Sequence, residues 1–256
     1  MKWQAAIALH PARAAARRLA ARERALRQRA AALTRRCFYA GYYRCLYGRK
    51  YPGAAGLERR IAGLEQRLGR GDIPLARERW EAQYRSANWQ YLADLGQVPR
   101  YSVLAGYLRF LKPGARVLDI GCGEGVLLSR LDAAACSEYV GIDWSRRAIA
   151  RAAGHPAIPS RFVEADARDY FPGRRFDAIV FNEVLYYISS PIALVNRYEM
   201  WLAPDGFFLI SLYAGSARAA AIGRALRREH SAIAAAETGN GASRWMILAL
   251  GPKRTK

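Results

Sequence analysis

Apolar and polar positions change period near residue 111. Before it they recur at helical spacing. Leu57, Ile61, Leu64 and Leu68 fall at i, i+4, i+7 and i+11, one face of a short helix. Gly69, Gly71 and Pro74 break that pattern, which predicts a helical extension over 1–73 and a second domain over 74–256. Residues 12–36 are nearly all Ala, Arg and Leu, with Leu19, Leu26 and Leu33 at every seventh position. Arg22, Glu23 and Arg29 occupy the partner positions and argue against a sustained coiled coil. Leu75–Leu95 predicts a helix and Tyr101–Leu111 another, with Pro99 interrupting between them, so 74–111 reads as a helical lid. After the turn Lys112-Pro113-Gly114 the pattern becomes strand–helix alternation. Strands are expected at 116–120, 139–142, 161–164, 176–181 and 206–213. Helices are expected at 125–131, 145–153, 191–202 and 216–228. Two final strands, 231–236 and 245–250, flank the hairpin signal Asn240-Gly241. The fold class is therefore α/β: a doubly wound, mainly parallel seven-stranded sheet with a C-terminal antiparallel hairpin.

Composition supports a filled core, since 52% of the 256 residues are hydrophobic. No apolar run approaches the roughly 20 residues of a membrane span. Met1-Lys2-Trp3 leads into Ala/Arg-rich sequence without the apolar stretch of a secretory signal. Charge changes the picture more. The chain carries +20, and residues 1–71 hold seventeen Lys/Arg against three acids, about +14. Such an arm attracts polyanions or an anionic membrane surface, although a merely solvated arm explains it as well. The expectation is a cytoplasmic chain whose arm can lie at the inner membrane surface. Phe38, Tyr39, Tyr42, Tyr43, Tyr47 and Tyr51 punctuate the next stretch and read as a small core, a lipid-facing patch or a base-stacking one. Cys37, Cys45, Cys122 and Cys136 fit neither a zinc pattern nor a disulfide framework, so no metal is expected.

The segment Val117-Leu118-Asp119-Ile120-Gly121-Cys122-Gly123-Glu124-Gly125 carries the chemistry. An apolar strand ends in an acid and opens into a glycine-rich turn. Val126 stands where a dinucleotide fingerprint wants its last glycine, which disfavours a dehydrogenase. The next strand ends in Asp143-Trp144; a carboxylate there can accept from two ribose hydroxyls, and Trp144 can cover an adenine face. In this order the motifs resemble the class I S-adenosylmethionine-dependent methyltransferases, small-molecule type, over about Arg77 to Gly251. The resemblance implies a Rossmann-like fold and S-adenosylmethionine as cofactor. It implies that Asp119, Gly121, Cys122 and Gly123 hold the methionine part, Asp143 the ribose, and Asp166 with Ala167 the adenine. It places Phe181-Asn182-Glu183-Val184-Leu185-Tyr186-Tyr187 at the transferring methyl, with Asn182 against the cofactor. Each acid by itself could equally be a loop or capping residue.

The catalytic candidates are Glu183 and Tyr187. Tyr187 stands where many small-molecule relatives carry a histidine, and a phenol of pKa about 10 is a poor base. His155 and His230 read as surface residues, and His10 lies in the arm. Trp80, Tyr84, Trp89, Arg100 and Tyr101 are lid candidates, Arg100 reaching the cofactor carboxylate. Core packing accounts for the two Trp as readily. The segment lacks the Asn-Pro-Pro-Tyr tetrapeptide common in base- and amide-methylating relatives. The expected acceptor is a small molecule, such as a sugar or glycan, methylated at oxygen or nitrogen. Alternatives are an RNA or protein methyltransferase docking through the basic arm, and a non-catalytic cofactor-binding adaptor.

Overall fold

A computed structural model describes residues 22, 23, 26, 37–49, 51–67 and 77–254. The expected boundary at 73/74, most of the Ala/Arg segment, Leu19, Leu33 and Leu68 lie outside the described residues. The chain forms two compact units, Met1–Leu46 and Tyr47–Lys256. In the first, residues 37–45 are helical. There Tyr39, Tyr42 and Tyr43 are buried while Phe38 is exposed.

The second unit begins with α1 (Ala54–Arg67). On its expected apolar face Ile61 is buried and Leu64 exposed. Then come α2 (Arg77–Arg85) and α3 (Val98–Leu111). The helix expected to run on to residue 95 stops at Arg85 and continues as two 3₁₀ turns, Gln90–Ala93 and Leu95–Gln97. Pro99 does not interrupt a helix; it sits in the first turn of α3, where its missing N–H is no loss.

The sheet strands are β1 (Ala115–Ile120), β2 (Cys136–Asp143), β3 (Ser160–Glu164), β4 (Phe176–Asn182), β5 (Leu202–Tyr213), β6 (His230–Gly239) and β7 (Arg244–Lys253). Their order is β3-β2-β1-β4-β5-β7-β6. The first five are parallel, and β7 runs antiparallel to both β5 and β6. Between the parallel strands lie α4 (Arg146–Arg151) and α5 (Pro191–Tyr198), with α6 (Ala217–Glu229) before the hairpin. Ser145 and Ser216 cap α4 and α6, each Oγ accepting a backbone N–H at 3.2 Å.

Period-2 alternation sorts the strands into two buried faces. Val117, Ala178, Val180, Leu209, Ile247 and Ala249 share one core with Leu104 and Leu108 of α3. On the other face Leu212 and Met246 crowd α6 so closely that a Cβ on Gly223 would lie 2.2 Å from Met246 Cε. The stretch 125–131, expected as a helix, is irregular except for a single 3₁₀ turn at Leu128–Arg130. Its apolar residues Leu127, Leu128 and Leu131 are buried in the α3-side core, so their pattern records burial rather than helical period.

Candidate functional site

The strand order reverses between β1 and β4, and open α/β sheets bind ligands at such a point, beyond the carboxyl ends of the strands. A cavity of about 460 Å³ lies there. The loop after β1, the ends of β2 and β4, α3 and the 90–93 turn all contribute to its wall.

The glycine loop is built by steric demand. Gly121 has φ +74°, and a Cβ there would sit 2.5 Å from Val184 Cγ2. Backbone N–H groups of Gly121 and Cys122 both donate to the Ile142 carbonyl, at 2.8 and 2.9 Å. Asp143 then closes the loop, accepting from Gly123 N at 3.0 Å and Ser145 N at 2.8 Å. A carboxylate has about four lone-pair sites, so two remain for a ligand's donors. Burial raises Asp143 to about 6, the backbone amides of Ser145, Gly123 and Trp144 opposing it.

Asp119 is 1% exposed and lies beneath the loop rather than on the cavity wall. Tyr139 donates to its Oδ2 at 2.5 Å, and Oδ1 has no partner. Burial raises its carboxyl to about 7. Cys122 lines the cavity, its thiol pushed well up by burial.

Trp144, Asp166 and Ala167 stand together on the wall. Both Asp166 oxygens are committed to Arg168, whose Nη2 donates at 2.5 Å and whose backbone N–H donates at 2.8 Å. That pairing holds the Asp166 carboxyl below its ordinary value. The same guanidinium covers the Trp144 ring at 5.4 Å.

Glu183 follows β4 at φ +60°, a left-handed conformation uncommon for a residue with a Cβ. Its carboxylate accepts from Ser211 Oγ at 2.9 Å and Tyr186 Oη at 2.8 Å. Arg100 Nη1 lies 3.8 Å away. Burial raises the Glu183 carboxyl and Arg100 opposes that. Arg100 is not the surface residue its sequence context allows: it is 2% exposed, and its Nε and Nη2 have no hydrogen-bond partner. Asn182 Oδ1 lies 2.8 Å from Ser211 Oγ, so the single hydroxyl proton is shared between it and the Glu183 carboxylate.

An aromatic group covers the cavity. Trp80 and Trp89 stack at 5.3 Å, and Tyr187 meets Trp80 edge-on at 4.9 Å. A Cβ on Gly123 would approach the Tyr84 hydroxyl to 3.1 Å, which puts that phenol over the glycine loop. Burial drives the Tyr84 phenol far above its ordinary value.

His230, the first residue of β6, is fully buried and bonded to Gly251 O and Asn196 Oδ1, which corrects its reading as a surface residue. His155 sits in a loop away from the cavity, where its Nδ1 accepts from Ala157 N. Sequence reasoning missed Ser211, Arg168 and Trp245, whose ring lies 5.6 Å from the Arg100 guanidinium on the cavity wall. Ser211 leaves a trace, a lone hydroxyl within the apolar run of β5. Among the described residues no cluster suits a metal ion.

The buried atoms left without partners match S-adenosylmethionine. Arg100 offers two unpaired guanidinium nitrogens, the geometry a carboxylate requires. Asp143 keeps acceptor capacity for ribose hydroxyls, and Gly121 and Gly123 put no side chain of their own into the cavity.

A family model described as "Methyltransferase domain" matches residues 91–238, more than half of the chain. Phosphoethanolamine N-methyltransferase 3 of Arabidopsis thaliana is 34% identical over 114 residues, 41% of this chain and 22% of that protein. The ubiquinone biosynthesis O-methyltransferase of Bradyrhizobium diazoefficiens is 36% identical over 106 residues, 38% of this chain and 40% of that protein. The chain thus spans less than half the length of these two relatives. The structure of the N-methyltransferase NodS from Bradyrhizobium japonicum WM9 with S-adenosyl-L-homocysteine superposes with TM-score 0.52 at 20% identity, covering 64% of this chain and 92% of that one, a likeness of fold. With its parallel core, antiparallel terminal strands and glycine loop sealed by Asp143, the chain belongs to the family of S-adenosylmethionine-dependent methyltransferase domains.

Proposed function

We propose that the protein transfers a methyl group from S-adenosylmethionine to an oxygen or nitrogen of a small molecule, such as a sugar or glycan. The observation that carries this reading is the convergence on one cavity of Asp143, the glycine loop and the half-satisfied guanidinium of Arg100. The cofactor supplies an already activated methyl on a sulfonium. The chain's own contribution is then positioning. Asp143 fixes the sugar of the cofactor, Arg100 its carboxylate, and the aromatic lid excludes water. Glu183, held by Ser211, Tyr186 and Arg100, presents its carboxylate beyond the end of β4. The names of the relatives, one an N- and one an O-methyltransferase of small molecules, support the class without choosing the atom.

The test is label transfer. Protein is incubated with methyl-labelled S-adenosylmethionine and cell extract, and products are separated into small-molecule, glycan, lipid, RNA and protein fractions. Label in the small-molecule or glycan fraction is expected. Label confined to RNA or protein would replace this reading.

A second reading is favoured by the charge of about +14 in residues 1–71: docking on RNA through the arm. It requires binding of the full chain to labelled RNA that weakens steeply between 50 and 200 mM salt, by about a thousandfold for six phosphate contacts. Binding to anionic vesicles instead would place the chain at the cytoplasmic membrane surface.

A further inference from the structure

We propose that the aromatic wall of the cavity is an acceptor subsite for a protonatable amine, with Glu183 as its counter-charge, so that the atom methylated is nitrogen. This deepens the methyltransferase reading and rests on it. Trp80 and Trp89 stack within 19° of parallel, and Tyr187 stands edge-on to both, at 4.9 and 6.3 Å. Tyr91 extends the group, 6.3 Å from Trp89, and lies within electrostatic reach of Arg100 and Glu183. Aromatic faces carry negative charge density and attract ammonium groups most strongly where water is excluded. One end of this wall therefore meets the Arg100–Glu183 pair, and with Arg100 engaged by the cofactor carboxylate, Glu183 is left to face the acceptor.

Glu183 is linked to the wall by contact. Its Oε2 accepts from Tyr186, whose ring lies 4.6 Å from that of Tyr187. Its left-handed backbone and its hydroxyl partners fix the carboxylate at the cavity wall. Tyr187 stands where the family resemblance places histidine, so a hydroxyl acceptor would meet a phenol there in place of an imidazole. An amine needs less. It arrives as an ammonium and gives one proton to Glu183. Its lone pair then forms the N–CH3 bond while the C–S bond of the sulfonium donor breaks, the electron pair remaining on sulfur, and the product leaves as a methylammonium. Burial lifts the Glu183 carboxyl, which makes it a stronger proton acceptor than an exposed one.

The test uses a cation and its uncharged isostere. The full chain, saturated with S-adenosylhomocysteine, is titrated calorimetrically with choline and, separately, with 3,3-dimethylbutan-1-ol. Choline is expected to bind at least tenfold more tightly. That preference is expected to vanish in Trp80→Leu and in Glu183→Gln, both still binding S-adenosylhomocysteine. If Trp80→Leu loses S-adenosylhomocysteine binding through misfolding, the near-isosteric Glu183→Gln decides. Equal binding of the two probes, no choline binding, or displacement of choline by S-adenosylhomocysteine overturns the amine subsite. Failure of the wild-type chain to bind S-adenosylhomocysteine overturns the methyltransferase reading beneath it.

Discussion

Asp143 joins two loops through Gly123 and Ser145 while keeping acceptor capacity toward the cavity. Asp143→Ala is expected to weaken S-adenosylhomocysteine binding by about fivefold to a hundredfold, the loss of about 1–3 kcal/mol of charge-assisted bonds, read by calorimetry. Its pH dependence follows from the same carboxyl. Ribose hydroxyls need the ionised form, so affinity is expected to be flat above about pH 7 and to fall toward tenfold per unit below about 6. The unliganded fold behaves in the opposite sense. With Asp143 raised to about 6 and Asp119 to about 7, both above the ordinary 3.8, these groups favour the fold when protonated. Their contribution is lost as pH rises from about 4 to about 7. Denaturant titrations at pH 5 and pH 8 of wild type and Asp119→Asn check this: the variant is expected to show the smaller difference. Gly121→Ala meets two obstacles, Val184 at 2.5 Å and φ +74°. Adding Val184→Ala is expected to restore only part of the stability, since the left-handed backbone still costs about 1–2 kcal/mol and the Cβ of residue 184 remains 3.0 Å from the new methyl. The glycine loop and the place of Asp143 beside it were legible because both are set by sequence order along a strand–loop unit; Asp119, expected against the methionine part, instead lies buried beneath the loop, bonded to Tyr139. The burial of Arg100 and His230 was not legible, since each is enclosed by residues far away in sequence: Glu183 and Trp245 for one, Asn196 and Gly251 for the other.

Element boundaries follow from what each segment packs against. The central strands were readable from short apolar runs rich in β-branched and aromatic residues, and the last two from the hairpin signal Asn240-Gly241 between them. The lid was not, because its course depends on partners from later in the chain. Here α2 is held to the start of α4 by Glu81, which accepts from Arg146 N at 2.8 Å and pairs with Arg147 at 3.5 Å. Arg151 donates to the Tyr84 carbonyl at 2.9 Å from the same helix. Glu81→Ala is expected to loosen the lid without unfolding the sheet. Hydrogen exchange should quicken over 77–97 and remain slow over β1 and β4, with weaker S-adenosylhomocysteine binding. Equal quickening in the strands would show that α2 supports the whole domain instead of covering the site.

For the whole molecule, ligand binding and folding are linked. S-adenosylhomocysteine at a hundred times its Kd is expected to stabilise the fold by about 2.7 kcal/mol, raising Tm by about 5–10 °C in a thermal melt. No shift would mean that the cavity does not hold the cofactor. The position of β7 has a separate consequence. It is made after β6, yet it lies between β5 and β6 and supplies the antiparallel partner of both. During synthesis the five parallel strands can pair as they emerge, while β6 must wait with both edges bare. Closure of the sheet therefore waits for β7, and a ribosome halted before Arg244 would hold a nascent chain with the β5 edge still open to strand pairing with its neighbours.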